Sequence, residues 1–153
     1  MKIFIKSFLI YFLFVNISNA DFIKPIPTLK PIDVLLIQLN SLKNNNVPYK
    51  DAGVEQTWEF AHPKNKLVTG PLKKFKKMIY SKNYRLLINH VNSEVKTIKE
   101  TERLSIYKVI ILSKDKKKYY YIWQVEKVLL DGNYKNCWMT TSVSNPKYLG
   151  KVI

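Results

Sequence analysis

The hydrophobic period of this chain changes once, near His90, and that change limits what it can fold into. Before His90 the apolar residues recur at the spacing of one helical face. After it they alternate, as on a half-buried strand. A run of helices followed by a run of strands predicts an α+β fold rather than an alternating α/β one. A sheet of successive hairpins is antiparallel and must cover one face. The helices supply the cover. The expectation is three N-terminal helices packed on a curved antiparallel sheet of about four strands, with a cone-shaped space between.

The first helix is predicted from Ile32, with Leu35, Leu36, Leu39 and Leu42 on its face and Asp33 in a first turn that favours acids. Val34 and Ile37 are apolar as well, so it is covered on more than one side. The run Asn44-Asn45-Asn46-Val47-Pro48 breaks it. Asp51 then reads as an N-cap whose carboxylate accepts from the free N–H groups of the next helix. Val54, Trp58 and Ala61 share that helix's apolar face, which is expected against the sheet near Trp123. His62-Pro63 stops it, because a residue before proline is pushed out of the α region. Thr69-Gly70-Pro71 starts the third helix, with Pro71 at its first position. Leu72, Phe75, Met78 and Ile79 face inward there, and Lys73, Lys74, Lys76 and Lys77 outward.

Strands are predicted over Ser93–Lys99, Arg103–Leu112, Lys118–Leu130 and Tyr134–Val143. The third is the strongest, with Tyr119, Tyr121, Trp123, Val125 and Leu129 on one face. Ser113 to Lys117 reads as a charged hairpin loop, Asp131-Gly132 as a hairpin turn and Pro146 as the end of the last strand.

The N-terminus has the pattern of a cleaved secretory signal: Lys2 and Lys6, an apolar run from Phe8 to Val15, then the small residues of Ser18-Asn19-Ala20. The uncharged run is well short of the roughly 20 residues a bilayer span needs. The expected organisation is a signal over 1–20, a proline-rich lead-in over 21–31 and a single α+β domain over 32–153. No membrane span is expected after cleavage.

The mature chain then has 24 basic and 11 acidic residues, a formal net charge of +13. Such a charge invites a nucleic-acid or anionic-membrane partner. Over the full sequence lysine outnumbers arginine 24 to 2, however, and Asn, Ile and Tyr are also abundant, as an AT-rich coding sequence produces without selection for a partner. Nucleic-acid readers lean on arginine for bidentate contacts. The charge is read as a solvated basic surface, with no specific nucleic-acid partner. A single cysteine, Cys137, excludes an internal disulfide and a cysteine zinc site. His62 and His90 lie far apart with no ligand spacing, so no metal and no cofactor is expected.

Several anchors in fixed order carry a resemblance. They are Gln38-Leu39, Asp51-Ala52-Gly53-Val54, Trp58-Glu59-Phe60-Ala61-His62-Pro63, Thr69-Gly70-Pro71-Leu72, Phe75, Met78, Tyr84, Leu86-Leu87, and Cys137-Trp138-Met139-Thr140 with Ser142-Val143. Over Ile32 to about Val143 the chain resembles the domain of unknown function 4864. That resemblance implies the cone-shaped fold of nuclear transport factor 2 and the ketosteroid isomerases, and the possibility of a homodimer through the open sheet face. It implies no activity. With the signal, it points to the bacterial periplasm or secretion.

Cone folds leave a space between sheet and helices, and the candidate pocket residues are Trp58, His62, Phe75, Tyr84 and Trp123. The aromatic ones, with Phe60, more simply fill such a space as core, since rings at helical and strand spacing are more often core than pocket. His62 has a near-neutral pKa suited to a base. Beside a proline at a helix C-terminus it is more simply a cap on carbonyls, and His90 is read likewise. Cys137 in mid-strand reads as a small buried hydrophobe. An isomerase or lyase on this fold needs an acid facing a donor. Asp51 reads as a cap, Asp115 as a loop tip, Asp131 as a turn, Glu55 and Glu59 as flanks of Trp58, and Glu126 as part of the polar strand face. No catalytic residue is assigned. The leading expectation is a non-catalytic protein binding a small apolar ligand or a protein partner. The alternatives are a lyase or isomerase using the same cavity, and a weak anionic-surface binder using the lysine face.

Overall fold

The computed structural model describes residues 21–152, and the signal expected over 1–20 lies outside them. Among the described residues there are four α-helices and five strands. The helices are α1 (Pro31–Lys43), α2 (Ala52–Glu59), α3 (Pro63–Thr69) and α4 (Leu72–Ile79), followed by a short 3-10 turn over Arg85–Leu87. The strands are β1 (Asn92–Glu100), β2 (Leu104–Leu112), β3 (Lys117–Lys127), β4 (Trp138–Val143) and β5 (Lys147–Lys151). The fold is α+β, with the helices before an antiparallel sheet. No helix among the described residues is long and apolar enough to cross a membrane.

The sheet runs β1-β2-β3-β4, and β5 also pairs with β3. β3 is long enough to serve two partners on one edge. Trp123 to Lys127 pair with β4, and Lys117 to Tyr120 pair with β5. Between them Ser144 closes the ladder, donating its N–H to Ile122 O at 2.9 Å and accepting the Ile122 N–H on its hydroxyl at 2.8 Å. Pro146, which has no N–H to offer a ladder, sits at the step between the two strands. It ends one strand as expected and leads into another that was not.

The helix count is four, not three, because Pro63 has two roles. It ends α2 and is the first residue of α3, where its missing N–H costs nothing. α3 has no buried residue, and Leu67 and Val68 are 87% and 71% exposed. Without an inward stripe it has no period for a sequence reading to find.

α1 lays Val34, Leu35, Leu39 and Leu42 into the core against Tyr107, Val109, Tyr121, Trp123 and Val125 of the sheet. Burying each such side chain contributes about 1.5–3 kcal/mol. α2 crosses α1 at Gly53, where any Cβ would lie 2.0 Å from the Ser41 carbonyl oxygen. Asp51 stands at the N-cap of α2 in a left-handed conformation, but its carboxylate makes no capping bond. Asn45 does that work: its carbonyl accepts the Gly53 N–H and its side-chain oxygen the Val54 N–H, each at 2.9 Å. The Asp51 carboxylate instead accepts from the Tyr80 hydroxyl and from Asn45 Nδ2.

β3 buries Tyr121, Trp123 and Val125 as its alternation predicts. It ends at Lys127 rather than Leu130, so Leu129 points to solvent while Val128 is buried. The connection to β4 is a broad loop rather than a two-residue Asp-Gly hairpin, closed by Val128 N–H to Cys137 O at 2.8 Å. That loop folds Tyr134 over a second small cluster of Val128, Cys137 and Met139. Cys137 to Thr140 are therefore all buried, without alternation. A bulge at Thr141 shifts the register, leaving Thr140 opposite Val125 and Ser142 opposite Gln124.

Candidate functional site

A cavity of about 210 Å³ lies between the helices and the β3–β4 part of the sheet. α1 contributes Gln38 and Leu42, α4 contributes Phe75, Met78 and Ile79, and the turn after α4 contributes Tyr84 and Leu87. Trp123 and the run Thr140 to Val143 line the sheet side. Thr57, Ala61, Asn65 and Thr69 complete the lining.

Of the five residues singled out from the sequence, the fold brings Phe75, Tyr84 and Trp123 to this cavity. Trp58 and His62 are not in its lining. Trp58 is half-buried between helices rather than against the sheet near Trp123. Its ring packs on Phe75 with centroids 4.9 Å apart, and Lys66 Nζ lies 5.1 Å from its centroid. Gly70 permits this packing, since a Cβ there would lie 3.1 Å from the Trp58 ring and 2.5 Å from Lys66 O. The same ammonium lies 5.4 Å from the Tyr134 ring, and burial pushes the Lys66 pKa down. The inward face of α2 is instead Gly53, Val54 and Thr57.

His62 is an N-cap, not the C-terminal cap its neighbours implied. Its Nδ1 accepts the Lys64 N–H at 3.1 Å at the start of α3, so the imidazole proton sits on Nε2. Burial lowers its pKa, which suits this neutral, accepting form. The His62 backbone N–H donates to Thr140 O at 2.8 Å and ties the α2–α3 corner to β4. His90 does cap a carbonyl: its Nδ1 lies 2.8 Å from Leu87 O. Its Nε2 is buried without a partner, and burial lowers its pKa. Cys137 is buried, and that burial raises its thiol pKa, which makes it inert.

Beside the cavity lies a buried polar network that no local sequence pattern marks. Trp123 Nε1 donates to Thr140 Oγ1 at 3.0 Å, Thr140 donates to Gln38 Oε1, and Gln38 Nε2 donates to Thr57 O at 3.0 Å. Its one trace in the sequence is a glutamine on the apolar face of α1, between Leu35 and Leu42. Tyr84 donates to Val143 O at 3.0 Å, and burial raises its pKa.

No carboxylate, imidazole, thiol, amine or guanidinium is in the cavity lining. The acids are engaged elsewhere. Lys76 lies 2.7 Å from Glu55 Oε1 and 3.9 Å from Asp51 Oδ2. The Tyr80 hydroxyl holds the Asp51 pKa down. For Glu55, burial works upward but is outweighed by the hydrogen bonds from Lys76 and Tyr49. Hydrogen bonding to Glu55 pushes Tyr49 up to about 12. Glu59 pairs with Lys24, and Glu126 accepts from Thr141. Among the described residues no group of three or more His, Cys, Asp or Glu is placed to hold a metal.

Fold and site together define a small α+β protein with a helix-covered antiparallel sheet and an uncharged cavity between the two layers. Comparison with known family models, curated proteins and solved structures finds no match.

Proposed function

We propose that this is an exported, non-catalytic protein that binds a small, largely apolar molecule in the cavity between helices and sheet. The observation that carries this reading is the cavity itself: about 210 Å³, bordered by Phe75, Met78, Ile79 and Trp123, with no charged group in its lining. Small-molecule sites are concave and mostly apolar, with a few placed polar groups. The competing lyase or isomerase reading requires an acid facing a donor, and no aspartate or glutamate is in the cavity lining. Helices preceding an antiparallel sheet with a space between them also support the proposed kinship with the domain of unknown function 4864 and its cone fold. The leader-like N-terminus supports export to the periplasm or beyond.

The test is methyl and aromatic NMR of the mature chain titrated with benzene and indole. Saturable shifts confined to Leu42, Phe75, Met78, Ile79 and Trp123 are expected. No shift at millimolar probe, or shifts confined to the surface lysine face, would remove the cavity reading.

A further inference from the structure

Six lining residues carry hydroxyls, and each hydroxyl already donates within the protein. Thr57 donates to Gly53 O at 2.8 Å, Thr69 to Asn65 O at 2.9 Å and Tyr84 to Val143 O at 3.0 Å. Thr140 donates to Gln38 Oε1 at 2.5 Å, while Thr141 and Ser142 turn their hydroxyls to Glu126 Oε1 at 3.1 Å and Gln124 Oε1 at 2.7 Å, on the sheet face away from Trp123. The Trp123 indole N–H is committed to Thr140. What the Thr57, Thr69, Tyr84 and Thr140 hydroxyls can still offer the cavity is lone pairs, since each oxygen accepts as well as donates. The side-chain donors left are one hydrogen each on the Gln38 and Asn65 amides, whose other hydrogens go to Thr57 O and Thr140 O.

A carboxylate or phosphate brought here would meet no cation and few free donors. It would lose its water without replacement, at a large cost for a charged group. A neutral O–H or N–H finds the opposite, a lining with spare acceptors. The size fits one aromatic ring with a substituent, since a cavity of roughly 150 Å³ already holds benzene and this one is about 210 Å³.

We propose that the cavity selects a neutral molecule the size of one substituted ring bearing a single O–H or N–H donor, and that it rejects the corresponding carboxylate. This rests on the ligand-binding reading above. The test titrates the mature chain at pH 7.5 with phenol, toluene and benzoate, three probes of nearly equal size. Phenol is expected to bind tighter than toluene by roughly 2- to 12-fold, the range a net hydrogen bond supplies, and benzoate not to bind. Toluene binding as tightly as phenol would overturn the donor preference while leaving the cavity a ligand site. Benzoate binding comparably to phenol would overturn it as well. If none of the three binds, the donor preference and the ligand-binding reading both fail.

Discussion

Thr140 donates its hydroxyl hydrogen to Gln38 Oε1 at 2.5 Å, joining residues 102 positions apart in the chain. The same hydroxyl accepts the Trp123 indole N–H, so one buried oxygen links α1, β3 and β4 beside the cavity. Thr140→Val keeps the shape and removes both bonds. It leaves two buried polar groups unpaired, each worth about 1–3 kcal/mol. The expected loss is about 2–6 kcal/mol in urea unfolding. Gln38→Leu combined with Thr140→Val should cost clearly less than the sum of the single changes, because residues in one network do not add. Strict additivity would show that the network is not a unit.

Trp58 and Phe75 touch, yet they stand in different relations to the cavity. Trp58→Ala removes a half-buried ring from the α2–α4 contact and should cost about 2–3 kcal/mol, including the aromatic pair. Phenol affinity should be unchanged, because Trp58 does not line the cavity. Phe75→Ala removes a nearly fully buried ring that does line it. It should cost about 3–5 kcal/mol and alter probe binding. Loss of probe binding in Trp58→Ala, in protein that remains folded, would return Trp58 to the site.

These two residues also show what the sequence disclosed. Long elements with one clear period, α1, β2 and β3, were legible because each buries a regular stripe. The aromatic part of the cavity, Phe75, Tyr84 and Trp123, was legible because large rings mark the space between layers. Trp58 misled because apolar spacing favours the largest residue, whereas the close crossing of α1 and α2 selects the smallest ones, Gly53 and Thr57. α3 and β5 were missed because neither carries a buried stripe and each begins next to a proline first read as a stop. Gln38 and Thr140 meet only through tertiary pairing, which no local pattern encodes.

Gly53→Ala tests the crossing directly. A Cβ 2.0 Å from Ser41 O and 2.7 Å from the Asn45 Cα meets backbone, which cannot turn away as a side chain can. Helix propensity alone would favour alanine by about 1 kcal/mol. The expected outcome is nonetheless a net loss of roughly 3 kcal/mol or more, beyond the ordinary range for single changes. A neutral or stabilising Gly53→Ala, measured by thermal and urea unfolding, would mean that α1 and α2 do not cross so closely.

His90 gives stability a pH dependence whose sign is fixed by its burial. Its pKa in the fold is lowered, by burial first, against the upward pull of the Leu87 carbonyl and with a further downward push from Lys43. The unfolded chain therefore binds a proton more readily than the folded one, and stability rises with pH where that difference operates. The contribution is complete above the unfolded histidine value of about 6.5 and is lost as the pH falls from there toward the lowered folded value. His62, also lowered by burial, works in the same direction. Asp51 and Glu55, whose pKa values are lowered too, lose their contributions only further down, below the ordinary carboxylate range of about 4. His90→Asn keeps a donor toward Leu87 O and removes the titrating ring. Urea midpoints of the native chain should fall between pH 7.5 and 5, and those of His90→Asn should fall less over the same interval. Equal slopes for the two proteins would show that His90 is not the group that takes up the proton.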